Sequence, residues 1–171
     1  MSIHPRTFHP APGYSLWELL LTVSLLAVLL GLALPSLRDL QARTALTTAS
    51  NQLLLSLNLA RSVAITRGQQ TTLCLSDAGD RCLPTAGGVA VGYALQVATP
   101  QPTLLRRERL PPGLRLTATR NPVTYYPWPR AGTTVTFTLC DTGERVPARQ
   151  VIVSQTGRPR VTSTAPGTLC R

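Results

Sequence analysis

Residues 19–37 form an unbroken apolar run, LLLTVSLLAVLLGLALPSL, with no charged side chain between Glu18 and Arg38. At about 1.5 Å of rise per residue, a helix of this length reaches roughly 28 Å, close to the hydrocarbon thickness of a bilayer. Beyond Arg38 the pattern changes character. Leu46, Ala49, Leu53, Leu57, Ala60 and Ala64 recur at spacings of three and four, while Arg43, Thr47, Asn51, Asn58 and Arg61 take other faces. No proline or glycine interrupts residues 36–67, and Gly68 supplies a stop. The pattern therefore predicts one helix of about 50 residues, its first half suited to a membrane and its second half amphipathic. Helical stability in water comes mostly from packing an apolar face, so the second half needs a body to dock on.

The rest of the chain supplies that body. Residues 70–75, 89–97, 103–110, 114–118, 133–140 and 150–154 are short runs rich in Val, Leu, Thr and Tyr, separated by turns containing Asp, Gly and Pro. Such spacing predicts antiparallel sheet. The segments from Asp77 to Asp80 and from Asp141 to Gly143 read as loop or hairpin tips. The expected class is α+β, a long N-terminal helix whose amphipathic half packs on a β-rich head. Residues 121–130, with Tyr125, Tyr126 and Trp128 among three prolines, are expected to form a stiff cover over the core with Trp128 tucked in.

Charge and cysteine content narrow the chemistry. The chain carries 17 basic and 7 acidic residues, a net charge of +10, and every basic side chain apart from histidine is arginine. Such an excess favours an acidic partner, anionic lipid or nucleic acid without choosing among them. Both histidines, His4 and His9, precede the apolar run, so no Ser/His/Asp or Cys/His arrangement can be assembled beyond it. The carboxylate pairs Asp77 with Asp80 and Asp141 with Glu144 fall in turn-like segments, where turn chemistry explains them. Neither an enzyme nor a cofactor or metal site is expected. Four cysteines, Cys74, Cys82, Cys140 and Cys170, allow three pairings; sequence neighbours suggest Cys74–Cys82 and Cys140–Cys170 in an exported, oxidising setting. No C-x-x-C spacing supports zinc.

Glu18 is the residue that a plain membrane anchor does not explain. An unpaired carboxylate at the edge of hydrocarbon costs at least a few kcal/mol and calls for a named partner. A secretory signal with a short apolar region fits poorly too, because the run is long and Ala33 before Leu34 and Pro35 makes a poor cleavage box. The remaining possibility is cleavage on the polar side, after Gly13, with the apolar helix retained.

The segment Gly13-Tyr14-Ser15-Leu16-Trp17-Glu18-Leu19-Leu20 resembles the class III prepilin signal shared by type IV pilins and type II secretion pseudopilins. The resemblance implies a leader at residues 1–13 removed by the prepilin peptidase and methylation of the new N-terminus at Tyr14. It also implies filament assembly through Glu18, which would pair with the terminal ammonium of a neighbouring pilin subunit. Pro35 falls where many pilins carry a helix-kinking proline. The expected divisions are residues 14–37 as membrane and assembly helix, 38–67 as the amphipathic half, and 68–171 as the head. The order of early strands, Cys-clipped loop and late Cys-bounded tail resembles the GspH/FimT branch of minor pilins and pseudopilins. The implied location is the bacterial inner membrane, single-pass with a periplasmic head, and then a pilus or pseudopilus.

Residues 145–171 hold five arginines, Arg145, Arg149, Arg158, Arg160 and Arg171, and no acid. Within them Gly157-Arg158-Pro159-Arg160 matches the G-R-x-R element that the resemblance associates with DNA binding in FimT-like pilins serving DNA uptake. The expected partner is double-stranded DNA, contacted at its phosphates and blind to sequence. No aromatic residue lies in the tail to stack bases. The bland alternative is a hairpin tip at Thr156 and Gly157 with two solvated arginines beside it, in a pseudopilin without a DNA role. The second basic cluster, Arg106, Arg107 and Arg109, alternates around Glu108 and reads as a solvated strand face.

Overall fold

A computed structural model of the chain describes residues 13–77, 82–83, 88–97, 102–127 and 133–164. One helix, α1, runs from Leu16 to Arg67 without a break, as the pattern predicts. The chain divides into two compact units, Met1–Arg38 and Asp39–Arg171. In the first, every side chain described between residues 13 and 38 is exposed, Leu19, Leu25 and Leu32 among them.

In the second unit α1 buries the stripe its spacing predicts. Ala42, Leu46, Ala49, Leu53, Leu57, Ala60 and Ala64 are all within the core. Polar groups on the same side find partners: the Thr71 hydroxyl donates to the Ala60 carbonyl at 2.8 Å, and the Ser56 and Tyr93 hydroxyls meet at 3.3 Å. Gly68, at φ 62°, adopts the left-handed conformation that ends the helix and turns the chain toward the sheet.

Eight strands follow: β1 (Thr71–Ser76), β2 (Gly92–Val97), β3 (Thr103–Arg109), β4 (Leu114–Ala118), β5 (Val123–Tyr125), β6 (Val135–Asp141), β7 (Arg149–Val153) and β8 (Pro159–Ser163). They form two four-stranded antiparallel sheets in the orders β3-β2-β1-β5 and β4-β6-β7-β8. A bridge between Ala90 and Leu116 ties the approach to β2 to strand β4. The core draws Leu73, Leu75, Tyr93 and Leu95 from the first sheet and Leu116, Phe137, Leu139, Val151 and Val153 from the second. All its fully buried members lie beyond Arg38, so the second unit contains the core that would hold it folded.

Two strands were not expected. β5 arises in the aromatic segment, where Val123 and Tyr125 enter the core and Tyr126 stays outside. Burial pushes the Tyr125 hydroxyl up to about 12, only slightly opposed by Arg61, and the hydroxyl has no hydrogen-bond partner among the described residues. Trp128, expected to be the tucked residue, lies outside the described residues. β8 takes in Pro159 and Arg160, and so turns part of the supposed tail into sheet. Proline is tolerated there because β8 is the last strand of its sheet.

The Cys74–Cys82 disulfide is present. Asn121 braces the same corner, its carbonyl accepting from the Leu75 amide at 2.9 Å while its amide donates to the Leu83 carbonyl. Cys140 is not free, and its expected partner Cys170 lies outside the described residues. On β3, Arg106 pairs with Glu108 at 2.6 Å.

Candidate functional site

Two places answer to the sequence expectations. At the first, Gly13 and Tyr14 precede α1, and Glu18 stands in its first turn, where a negative charge is favoured by the helix dipole. Tyr14 and Trp17 are 86% and 72% exposed. Tyr14, Glu18, Leu19 and Thr22 line one shallow groove. Glu18 has no cationic partner among the described residues.

The second place is the β7–β8 hairpin. Its turn is built by the Gly157 amide donating to the Ser154 carbonyl at 2.8 Å and the Ser154 amide donating to the Arg158 carbonyl at 3.2 Å. Gly157 sits at φ 74°, the left-handed position that a type I turn followed by a bulge requires. The Ser154 and Thr156 hydroxyls meet at 2.8 Å across the turn. Arg158 and Arg160 are both exposed, and neither has an ion-pair partner among the described residues. Arg158 immediately precedes β8 and Arg160 lies within it, two residues further on.

Register separates the remaining candidates. Val151 and Val153 point into the core, and Arg149 shares their side of β7. Arg160 lies opposite Ile152, and so belongs to the outer side together with Thr162, opposite Gln150. Arg149 and Arg160 therefore serve opposite faces of one sheet. Arg145 is engaged elsewhere: its Nε donates to Asp141 Oδ2 at 3.0 Å and a terminal nitrogen donates to Oδ1 at 3.1 Å. Arg171 lies outside the described residues. Among the described residues, the arginines read together as one basic tail thus occupy separate settings, with Arg158 and Arg160, beside the turn made by Gly157, left as the exposed pair.

The Asp141–Arg145 fork is the contact that sequence reading missed. The signal was an Asp and an Arg flanking Gly143, and the positive φ of Glu144, 52°, closes the turn between them. Hydrogen bonding from Arg145 holds the Asp141 carboxyl below its ordinary value of 3.8, against the opposing effect of burial. A depressed acid stabilises the fold above its ordinary pKa and loses that contribution as pH falls through the lowered value. Asp141→Asn is accordingly expected to lower stability at pH 7 by about 1–2 kcal/mol and to flatten the acid limb of the stability curve, read by urea titration between pH 7 and 3. No group of His, Cys, Asp and Glu among the described residues is arranged to hold a metal.

The model of the family described as type II transport protein GspH matches residues 49–157, from the second half of α1 to the hairpin turn. The chain belongs to the GspH family. The match ends at Gly157, so Arg158 and Arg160 lie just beyond it. Among solved structures, the type IV minor pilin FimU of Pseudomonas aeruginosa is similar in two crystal forms. One superposes with a TM-score of 0.53 at 20% identity, covering 72% of this chain and 90% of that one. The other has a TM-score of 0.54 at 18% identity, with coverage of 70% and 98%. The minor pseudopilin EpsH from the type 2 secretion system of Vibrio cholerae gives 0.51 at 14% identity, with coverage of 68% and 95%. At these identities the likeness concerns the fold: this GspH-family member has the α+β architecture of minor pilins and pseudopilins. No curated protein sequence matches the chain.

Proposed function

We propose that the chain is a minor type IV pilin that binds double-stranded DNA through its β7–β8 hairpin during DNA uptake. In this reading the prepilin peptidase cuts after Gly13, the apolar helix holds the protein in the inner membrane, and Glu18 then joins it to other pilins. The observation that supports the DNA role is the pair Arg158 and Arg160, exposed and unpaired on a turn fixed by its own hydrogen bonds. A preformed turn has less freedom to lose on binding than an open tail. Guanidiniums so placed suit phosphates, and contacts to phosphate are blind to sequence.

The test is a titration of the Asp39–Arg171 unit with a DNA duplex across a salt series. Each phosphate contact contributes about 0.9 to the slope of log affinity against log salt. Replacing Arg158 and Arg160 together by Gln is expected to weaken binding at low salt and reduce the slope by about 2. Equal affinity and slope in variant and parent would remove the DNA role. The second reading, a structural pseudopilin of type II secretion, is favoured by the description of the matching family and by the likeness to EpsH. It predicts that the parent unit itself shows no retention of DNA at about 50 mM salt, where phosphate-driven binding is strong.

A further inference from the structure

On the side of the second sheet opposite Arg160, a cavity of about 260 Å³ lies between α1 and the β7–β8 pair. Arg43, Leu46 and Thr47 of α1 line it together with Pro147, Arg149 and Ser163. The local sequence explains the grouping. Residues 43, 46 and 47 share one face of the helix, and Arg149 lies directly opposite Ser163 in the β-ladder. Leu46 is buried and gives an apolar floor. Two arginines from different elements, Arg43 and Arg149, therefore line one recess, and neither has an ion-pair partner among the described residues. The carboxylates nearest in sequence are otherwise placed. Asp141 is held by Arg145, and Asp39, one helical turn before Arg43, makes no ion pair with it among the described residues. The Thr47 hydroxyl donates to the Arg43 carbonyl at 2.8 Å, which leaves Ser163 as the neutral side-chain donor.

We propose that this recess is a phosphate-binding site. One arginine fork saturates both oxygens of a carboxylate, whereas a phosphate presents enough acceptors for two forks and a hydroxyl. The phosphate comes from a phospholipid headgroup or from free phosphate. Arg43 lies six positions after Leu37, the end of the apolar run. A bilayer holding that run therefore has headgroups within at most about 22 Å of chain from Arg43. The site is independent of the DNA role, because Arg149 and Arg160 face opposite ways, and either can fail without the other.

The experiment uses the full chain in maltoside micelles, which contain no phosphate, with arginine Nε–H and backbone amide signals followed by NMR. Inorganic phosphate is expected to move the Arg43, Arg149 and Ser163 signals saturably, while chloride at equal ionic strength does not. Arg43→Gln and Arg149→Gln should each weaken the response about tenfold or more. Lysine at either position, which keeps charge but loses the fork, should fall between. Phosphatidylglycerol added to the micelles identifies the headgroup as the source if it displaces inorganic phosphate, and free phosphate as the source if it does not. Three results would overturn the site: an equal response to chloride, an unchanged phosphate response at Ser163 in the double Gln variant, or movement with a DNA duplex and none with phosphate. Amide spectra of the variants, otherwise unshifted, exclude unfolding as the cause.

Discussion

Phe137→Ala is expected to destabilise the Asp39–Arg171 unit by about 3–5 kcal/mol, the cost of removing a large aromatic and leaving a cavity. Phe137 is fully buried on β6, opposite Ala118 on one side and Val151 on the other. Small Ala118 cannot fill the space, and the antiparallel ladders on both flanks resist local collapse. Against a total stability of about 5–15 kcal/mol for a domain of this size, the loss is a large fraction. Arg160→Gln, on the solvent side of β8, is the contrasting substitution and should cost less than about 0.5 kcal/mol. Urea unfolding midpoints of the two variants against the parent measure both effects. A shift for Phe137→Ala no larger than that for Arg160→Gln would show that β6 does not carry the core.

Much of this architecture was legible because periodicity reports burial directly. The stripe from Leu46 to Ala64 is the face α1 buries, and the runs around β1, β2, β3, β4, β6 and β7 lie within a few residues of the strands. The Cys74–Cys82 clip followed from nearness in sequence. β5 was hidden because three residues among prolines carry too little alternation to signal a strand, and their pairing with Thr71–Leu73 is a long-range choice. β8 was hidden for a related reason: its single proline demotes a run to edge strand or loop, and only pairing with β7 decides between them. The candidate site was legible in type but not in grouping. Charge counting joined Arg145, Arg149, Arg158 and Arg160 into one patch. Strand alternation instead puts Arg149 and Arg160 on opposite faces of the sheet, and a turn gives Arg145 to Asp141. Such divisions depend on register, which the sequence of one strand cannot specify without its neighbour.

Glu18→Ala is expected to leave the protein in the membrane yet reduce its level in filaments by at least tenfold, on the order of 1.4 kcal/mol or more per contact. The span itself is long and apolar, with mean hydropathy 2.3, so losing one carboxylate does not impair insertion. On the proposed reading, what would be lost is the attraction between Glu18 and the ammonium that cleavage after Gly13 would expose on an adjoining subunit. In a low dielectric, removing one partner strands the other charge, which is costlier than never having had the pair. Glu18→Gln, nearly the same shape, should fail as well, because the missing element is charge.

The central claim is that this polypeptide is a processed building block of a filament. Mass spectrometry of the protein recovered from sheared filaments and from membranes of the same cells tests it. The account predicts a filament form that begins at a methylated Tyr14 and is depleted in the Glu18→Ala strain. A membrane pool consisting only of the full-length chain beginning at Met1, with none of it in filaments, would contradict it.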